Sequence, residues 1–181
     1  ITAGPTHEKI DPVRYIGNSS SGKMGYYIAK KAIELGANVS LIIGPTNLPM
    51  DLLNIKTIRV EDSKQMYNET IKLFQKSDVV ICSAAISDFK PVELAQNKIK
   101  KENGLDSIKL EPTLDILKKL GEIKTSQYLV GFALETDNII ANAKNKLKSK
   151  NLDAIVVNKI GDFNPISSDY NQIDFINSSL N

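Results

Sequence analysis

Asp11, Arg14, Asn18, Ser19, Ser20, Ser21 and Lys23 fall in one short run, interleaved with Gly17, Gly22 and Gly25. The run follows a strand-like start, Ile1-Thr2-Ala3-Gly4, and leads into an amphipathic helix. Glycines and small polar residues at a strand-to-helix crossing expose backbone N–H groups at the positive end of a helix dipole, which suits a phosphate or another anion. Gly17 to Lys23 also fits the opening G-x-x-x-x-G-K of a P-loop. Met24 then stands where a Ser or Thr hydroxyl should hold Mg²⁺, and more than ten residues separate Gly4 from Gly17. The P-loop reading therefore fails. A plain Ser/Gly linker is disfavoured by the strong helical pattern that follows.

Within the run, Asn18 is either a turn residue or an amide aimed at an acyl or carbonyl oxygen. Arg14 is either a surface charge or a bidentate partner for carboxylate or phosphate. Further along, Asp88 follows an apolar strand through Ala84-Ala85-Ile86-Ser87. A carboxylate there serves as a metal or nucleotide ligand, or as a helix or turn cap. Lys98-Ile99-Lys100-Lys101 lies in a segment without core pattern. It reads as a solvated charge run or as a mobile basic loop that closes over a triphosphate. Lys146 and Lys150 share one face of a helix, a spacing common on any exposed helix.

These residues need a scaffold, and the chain supplies one in alternating signals. Strands are expected at Ile1–Gly4, Val39–Ile43, Ile55–Val60, Asp78–Ala85, Ser107–Leu110, Tyr128–Ala133, Leu152–Asn158 and Ile173–Ile176. Helices are expected from Gly22 to Leu35 with Met24, Ile28, Ala32 and Leu35 inward and Gly36 as the stop. Others start at Asp62 or Ser63 with Met66, Leu73 and Phe74 inward, at Thr113, and at Thr136 with Ile140, Ala143 and Leu147 inward. Alternation of this kind predicts an α/β fold, a doubly wound and mostly parallel Rossmann-like sheet in a single domain over 1–181. An insertion at about 90–110 carries the basic loop. Ligands of such sheets bind beyond the carboxyl ends of the strands, at a topological switch point. Four segments should converge there: Gly4 to Gly25, Ser83 to Asp88, Phe132 to Thr136, and Asn158 onward.

Bulk properties narrow the function classes. The chain has 181 residues, enough for one full core. A formal net charge of +2 is too small to imply nucleic acid or a membrane surface. A lone cysteine, Cys82, excludes an internal disulfide and points to a reducing compartment, so a cytoplasmic location is expected. No apolar run reaches transmembrane length. A lone histidine, His7, rules out His-rich metal sites and disfavours a His-based triad. Because Ile1 already lies in a strand, the chain is expected to be a domain cut from something longer or trimmed at its start.

Taken together, the motifs resemble phosphopantothenoylcysteine synthetase, the domain that in bacteria is often fused behind a flavin-dependent decarboxylase in coenzyme A biosynthesis. Ile1-Thr2-Ala3-Gly4-Pro5-Thr6, Asp11-Pro12-Val13-Arg14-Tyr15-Ile16, Asn18 and Ser20-Ser21-Gly22-Lys23-Met24-Gly25 are similar to that family's opening signature. Ala84 to Phe89, Lys98 to Lys101, Leu114-Asp115-Ile116-Leu117 and Val130 to Thr136 are similar to its later motifs. Leu114 departs from the family's usual Pro. The segment from Ile160 to Asn171 is short against its pattern, with Phe163, Asp169 and Asn171 as remnants.

The resemblance implies a two-step ligase. The carboxylate of 4′-phosphopantothenate attacks the α-phosphate of CTP, or of ATP, and the cysteine amine then displaces the nucleotide. It implies Asn18, Lys98 and Arg14 as catalytic residues. The implied nucleotide contacts are Ser83, Ala84, Asp88, Lys98, Leu114, Asp115, Ile116, Leu117, Phe132, Lys146 and Lys150. Asn18, Ser20, Gly22 and Lys23 would contact phosphopantothenate. It further implies Mg²⁺ (or Mn²⁺) with metal ligands unassigned, a homodimer, and a decarboxylase domain ahead of residue 1.

Two readings compete. A nicotinamide-dependent oxidoreductase would share the doubly wound pattern, but no compact G-x-G-x-x-G follows Gly4 and Gly44-Pro45 stands where a ribose-binding acid should end the second strand. A non-catalytic partner-binding domain would not need Arg14, Asn18, Asp88 and Lys98 together.

Overall fold

The computed structural model describes residues 1–50, 55–103, 105–135, 138–159 and 171–178. A seven-stranded sheet runs in the order β11-β10-β9-β6-β1-β4-β5. Its strands are β1 (Thr2–Ala3), β4 (Ser40–Ile43), β5 (Lys56–Arg59), β6 (Val79–Cys82), β9 (Tyr128–Glu135), β10 (Ala154–Lys159) and β11 (Ile173–Asn177). All neighbours pair in parallel except β11, which runs antiparallel along β10. The chain therefore builds outward from β1 to β4 and β5, crosses back to β6, and builds the other way. The switch point lies between β1 and β6, as the α/β alternation predicts.

Period-two alternation within the strands fixes what each face buries. In β4, Leu41 and Ile43 pack with Ala3 and Ala29 of helix α1 (Lys23–Glu34), while Ile42 turns to the opposite core. That larger core joins Met66 and Phe74 of α2 (Ser63–Phe74), Ile116 and Leu120 of α3 (Ile116–Ile123) and Ala143 of α4 (Ile139–Ser149) to Leu129, Ile155 and Val157 of the sheet. Residues buried on both faces explain why these strands read as apolar runs rather than alternating ones.

Several expectations shift in detail. α1 ends where Gly36 was expected to stop it, with Gly36 N–H donating to the Ile33 carbonyl and Ala37 N–H to the Ala32 carbonyl, a Schellman pair. Its fully buried residues are Gly25, Tyr26 and Ala29; of the row expected inward, Ala32 packs on the core while Leu35 is 77% exposed. Close contact of Gly25 with Ala3 and Ser83 decides that rotation. Asp62 caps α2, its side chain accepting from Gln65 N–H. Asp115, not Thr113, caps α3, accepting from Lys118 N–H at 2.8 Å. Thr113 instead donates its backbone N–H to Asp88 O and its hydroxyl to Ser87 O. In α4, Ile139 packs toward the core and Ile140 is exposed. The Thr136 cap and the remnants Phe163 and Asp169 lie outside the described residues.

Two hairpins stand apart from the main sheet. The strand expected at Ser107–Leu110 starts three residues later and ends two residues later, as β8 (Leu110–Pro112), antiparallel to β7 (Phe89–Pro91), so the insertion is tied off at its base. The other, β2 (His7–Lys9) with β3 (Tyr15–Gly17), has no counterpart in the sequence reading. Alternation cannot announce strands of three residues, and here stacking of the His7 and Tyr15 rings supports the pairing.

Candidate functional site

Beyond Ala3 and Cys82 the two central strands do not part. Ala85 N–H donates to Gly4 O at 2.9 Å, Pro5 bridges Ala85, and the buried Thr6 hydroxyl accepts Ser87 N–H at 3.0 Å. The first hairpin and the 83–88 segment thus leave the sheet together, over its carboxyl edge. Next to them opens a cleft of about 780 Å³. Its walls are Ser19 to Gly25, Ser83 to Ala85, Phe132 to Leu134, and Asn158 with Asn171. The four segments expected to converge do so, with Thr136 outside the described residues.

One wall is the start of α1. Gly22 takes the N-cap position at φ 77°, a left-handed backbone that a side chain would strain, and no side chain caps the helix. No acidic residue occupies the first turn. Ser20 and Ser21 hydroxyls accept the Gly22 and Lys23 N–H groups only at 3.4 and 3.3 Å. A helix N-terminus facing a cleft with its dipole unneutralised is suited to an anion.

Of the predicted residues, Ser20, Gly22, Lys23, Ser83, Ala84 and Phe132 line this cleft. Asn18 is not part of the lining but directly precedes Ser19, which is, and its amide donates to Ile86 O at 2.8 Å. The exposed Asp88 carboxylate has no partner among the described residues. A second group lies on the far side. Lys146 donates to Phe132 O at 2.9 Å, and Lys150 pairs with Asp115 at the start of α3. Burial pushes the Asp115 carboxyl up, but the Lys150 and Lys118 N–H hydrogen bonds and the two lysine charges outweigh it and hold the carboxyl below its ordinary value. Ile116 is in the core, Leu117 packs on it, and Leu114 is exposed, so the 114–117 segment offers backbone and one apolar side chain rather than a polar reader.

A third group is built on the first hairpin. Arg14 pairs with Asp11 and donates to Ile99 O at 2.9 Å. Lys98 and Lys100 are exposed on either side of Ile99. The guanidinium is therefore already committed to two protein partners.

Neither Asn158 nor Asn171 was assigned a site role from the sequence, which gave Asn171 only as a remnant of the family's motif. They line the cleft and join by Asn171 Nδ2 donating to Asn158 Oδ1 at 3.0 Å. Asn158 was legible only as the end of a strand expected to point into the site. Cys82 beneath the cleft has its thiol pushed up to about 11 by desolvation, so it is neutral and no nucleophile at ordinary pH. Among the described residues, no three His, Cys, Asp or Glu side chains cluster to hold a metal, and no helix is long and apolar enough to cross a membrane.

Fold and cleft define a doubly wound α/β domain with an anion-suited pocket at its switch point. Residues 1–181 match the family described as DNA/pantothenate metabolism flavoprotein C-terminal domain, and the chain belongs to that family. A protein of an unknown prokaryotic organism named cysteine/cysteine sulfinic acid decarboxylase is 47% identical over 163 residues, covering 90% of this chain and 45% of that protein. The coenzyme A biosynthesis bifunctional protein CoaBC of Bacillus subtilis (strain 168) is 47% identical over 160 residues, covering 88% of this chain and 39% of that protein. The chain thus spans less than half the length of these two relatives. The crystal structure of the C-terminal domain of CoaBC superposes with a TM-score of 0.82 at 43% identity, over 98% of this chain and 80% of that one. The resemblance read from the sequence and the family match agree.

Proposed function

We propose that this chain joins 4′-phosphopantothenate to cysteine through an acyl-nucleotide, with CTP as the activating triphosphate. The observation that supports it most is the meeting of four strand-end segments around a cleft whose floor is the uncapped start of α1. The likeness to the C-terminal domain of CoaBC supplies the reaction class.

The first step joins a carboxylate oxygen to the α-phosphorus and expels pyrophosphate. It needs cations on the triphosphate as charge moves onto the leaving group. Lys98 is suited to that task, with the N-terminus of α1 holding a phosphate. Mg²⁺ or Mn²⁺ would neutralise phosphate charge, and Asp88, an exposed carboxylate without a partner among the described residues, would help to hold it. In the second step the cysteine nitrogen forms the amide bond and the nucleoside monophosphate departs. Asn18 would orient the acyl group, together with the Arg14 guanidinium nitrogen that neither Asp11 nor Ile99 engages. Backbone groups at Ala84 and Leu114 to Leu117 would read the base, with Lys146 and Lys150 near the ribose and phosphates.

We further propose a homodimer formed through the insertion, where Phe89, Leu94, Leu105 and Leu110 are all exposed. A decarboxylase domain ahead of residue 1 is proposed from the length of the bifunctional relatives. Sedimentation at micromolar concentration should give twice the 19.9 kDa chain mass; a monomer alone contradicts the dimer.

The test of the activity is release of pyrophosphate, not orthophosphate, with phosphopantothenate and each nucleoside triphosphate in turn, followed by cysteine-dependent amide formation. Turnover of cysteine without any triphosphate would contradict the ligase reading.

A further inference from the structure

The side chain of Asp11 is fully buried, at 0% exposure, in a turn on the surface of a hairpin. Its Oδ1 accepts the N–H groups of Val13 and Arg14, both at 2.8 Å, an ordinary Asx turn that an Asn would make equally well. The second oxygen does something the turn does not require. Oδ2 accepts Arg14 Nε at 2.9 Å, a further Arg14 guanidinium N–H, and the backbone N–H of Ile99 at 3.1 Å. Arg14 in turn donates to the carbonyl of the same Ile99 at 2.9 Å. Nearby, Ala95 N–H donates to Ile10 O at 3.0 Å. Both backbone groups of one residue, far along the chain and in the middle of the basic segment, are thus held from a single carboxylate–guanidinium pair.

We propose that Asp11 is a positioning residue that fixes the backbone of Ile99 and thereby sets where Lys98 meets the triphosphate. A solvated charge run needs no such hold, and a hold on both N–H and C=O fixes the direction of the chain as well as its place. The lysine side chain keeps its freedom to reach a phosphate while its root is tied to the first hairpin through Ile99, so less ordering is needed when the anion arrives. This inference rests on the ligase reading for its chemistry but not for its mechanics.

The test uses Asp11→Asn in the full chain. The variant keeps the Oδ1 turn and replaces Oδ2 by an NH₂ that cannot accept. Amide exchange at Ile99, and tryptic cleavage after Lys98, Lys100 and Lys101, should rise several-fold, while exchange in α2 and the central strands stays unchanged. Pyrophosphate release should fall on the order of tenfold to a hundredfold, the effect of a displaced reacting group. That fall should vanish in the Lys98→Gln background, because a misplaced lysine matters only while the lysine is there. If Asp11→Asn fails to fold, Arg14→Met serves with amide exchange at Ile99 as its readout, since it removes every donor to Asp11 Oδ2 and to the Ile99 carbonyl that the guanidinium supplies. Unchanged exchange at Ile99, or effects of Asp11→Asn and Lys98→Gln that simply multiply, would overturn the proposal. Absence of pyrophosphate release from the wild-type enzyme with every triphosphate would overturn the ligase reading, and the exchange and cleavage results would still decide the hold.

Discussion

Gly25 of α1 lies so close to Ala3 of β1 that a Cβ at position 25 would stand 2.4 Å from the Ala3 Cβ and 2.6 Å from the Ser83 hydroxyl. This contact brings the helix N-terminus down onto the switch point and selects the face of α1 that is buried. Gly25→Ala should push the helix outward, costing about 1–3 kcal/mol by overpacking, and should raise the KM for triphosphate. Ile155→Val, a core change of similar cost at about 0.5–1.5 kcal/mol, should leave that KM unchanged. Urea unfolding and initial rates on the two variants check it. Equal effects on KM would separate the glycine from the site.

Asp115 both caps α3 and pairs with Lys150 of α4. Asp115→Ala should lose about 1 kcal/mol, mostly the cap, because the ion pair is half exposed. It should also weaken triphosphate binding, since Lys150 loses the partner that places it. Denaturation midpoints and nucleotide titration read the two effects separately.

Asp11 and Asp115 predict how stability depends on pH. The Arg14 guanidinium holds the Asp11 carboxyl far below 3.8, and Asp115 is also held below that value. A lowered folded pKa gives stability that is complete above the unfolded value and lost as pH falls toward the folded one. Stability from these groups should be flat from neutral pH to about 5, then fall through about 4 and below. Asp11→Asn should flatten the acid limb. An acid limb unchanged in that variant would contradict the role assigned to the carboxylate.

The sheet and the site were legible to different depths. Apolar runs within Val39–Ile43, Asp78–Ala85 and Tyr128–Ala133 put residues such as Leu41, Ile42, Val80, Leu129 and Val130 in the core, so composition alone announced the parallel strands. The convergence of four strand-end segments then followed from topology. The first hairpin was not legible, because three-residue strands lack a period and the pairing rests on the His7–Tyr15 stack. Nor was the partner of Arg14: a bond from Arg14 to Ile99 spans 85 positions, and no local pattern encodes it. Thr113 was mistaken for a cap because it precedes an apolar stripe, whereas tertiary bonds to Ser87 and Asp88 claim it.

Lys98 and Asn18 should fail at different steps. Loss of one positioned polar contact to a transition state costs about a hundred- to thousandfold in rate. Lys98→Gln should release little pyrophosphate even without cysteine. Asn18→Asp should still form the acyl-nucleotide but pass it on slowly, because a carboxylate repels the anhydride phosphate and cannot donate the N–H now given to Ile86. Quenched-flow mass spectrometry should find the intermediate accumulating in Asn18→Asp alone. Equal loss of pyrophosphate release in both variants would place Asn18 in the first step.

The central claim is that a substrate carboxylate oxygen becomes bonded to the α-phosphorus. Phosphopantothenate labelled with ¹⁸O in its carboxylate tests it directly. Attack on phosphorus followed by cleavage of the acyl C–O bond must leave one labelled oxygen in the nucleoside monophosphate, readable by mass spectrometry after complete turnover with cysteine. The account predicts that label in the monophosphate and none in pyrophosphate. Amide product formed with an unlabelled monophosphate, or with the label in orthophosphate, would contradict it.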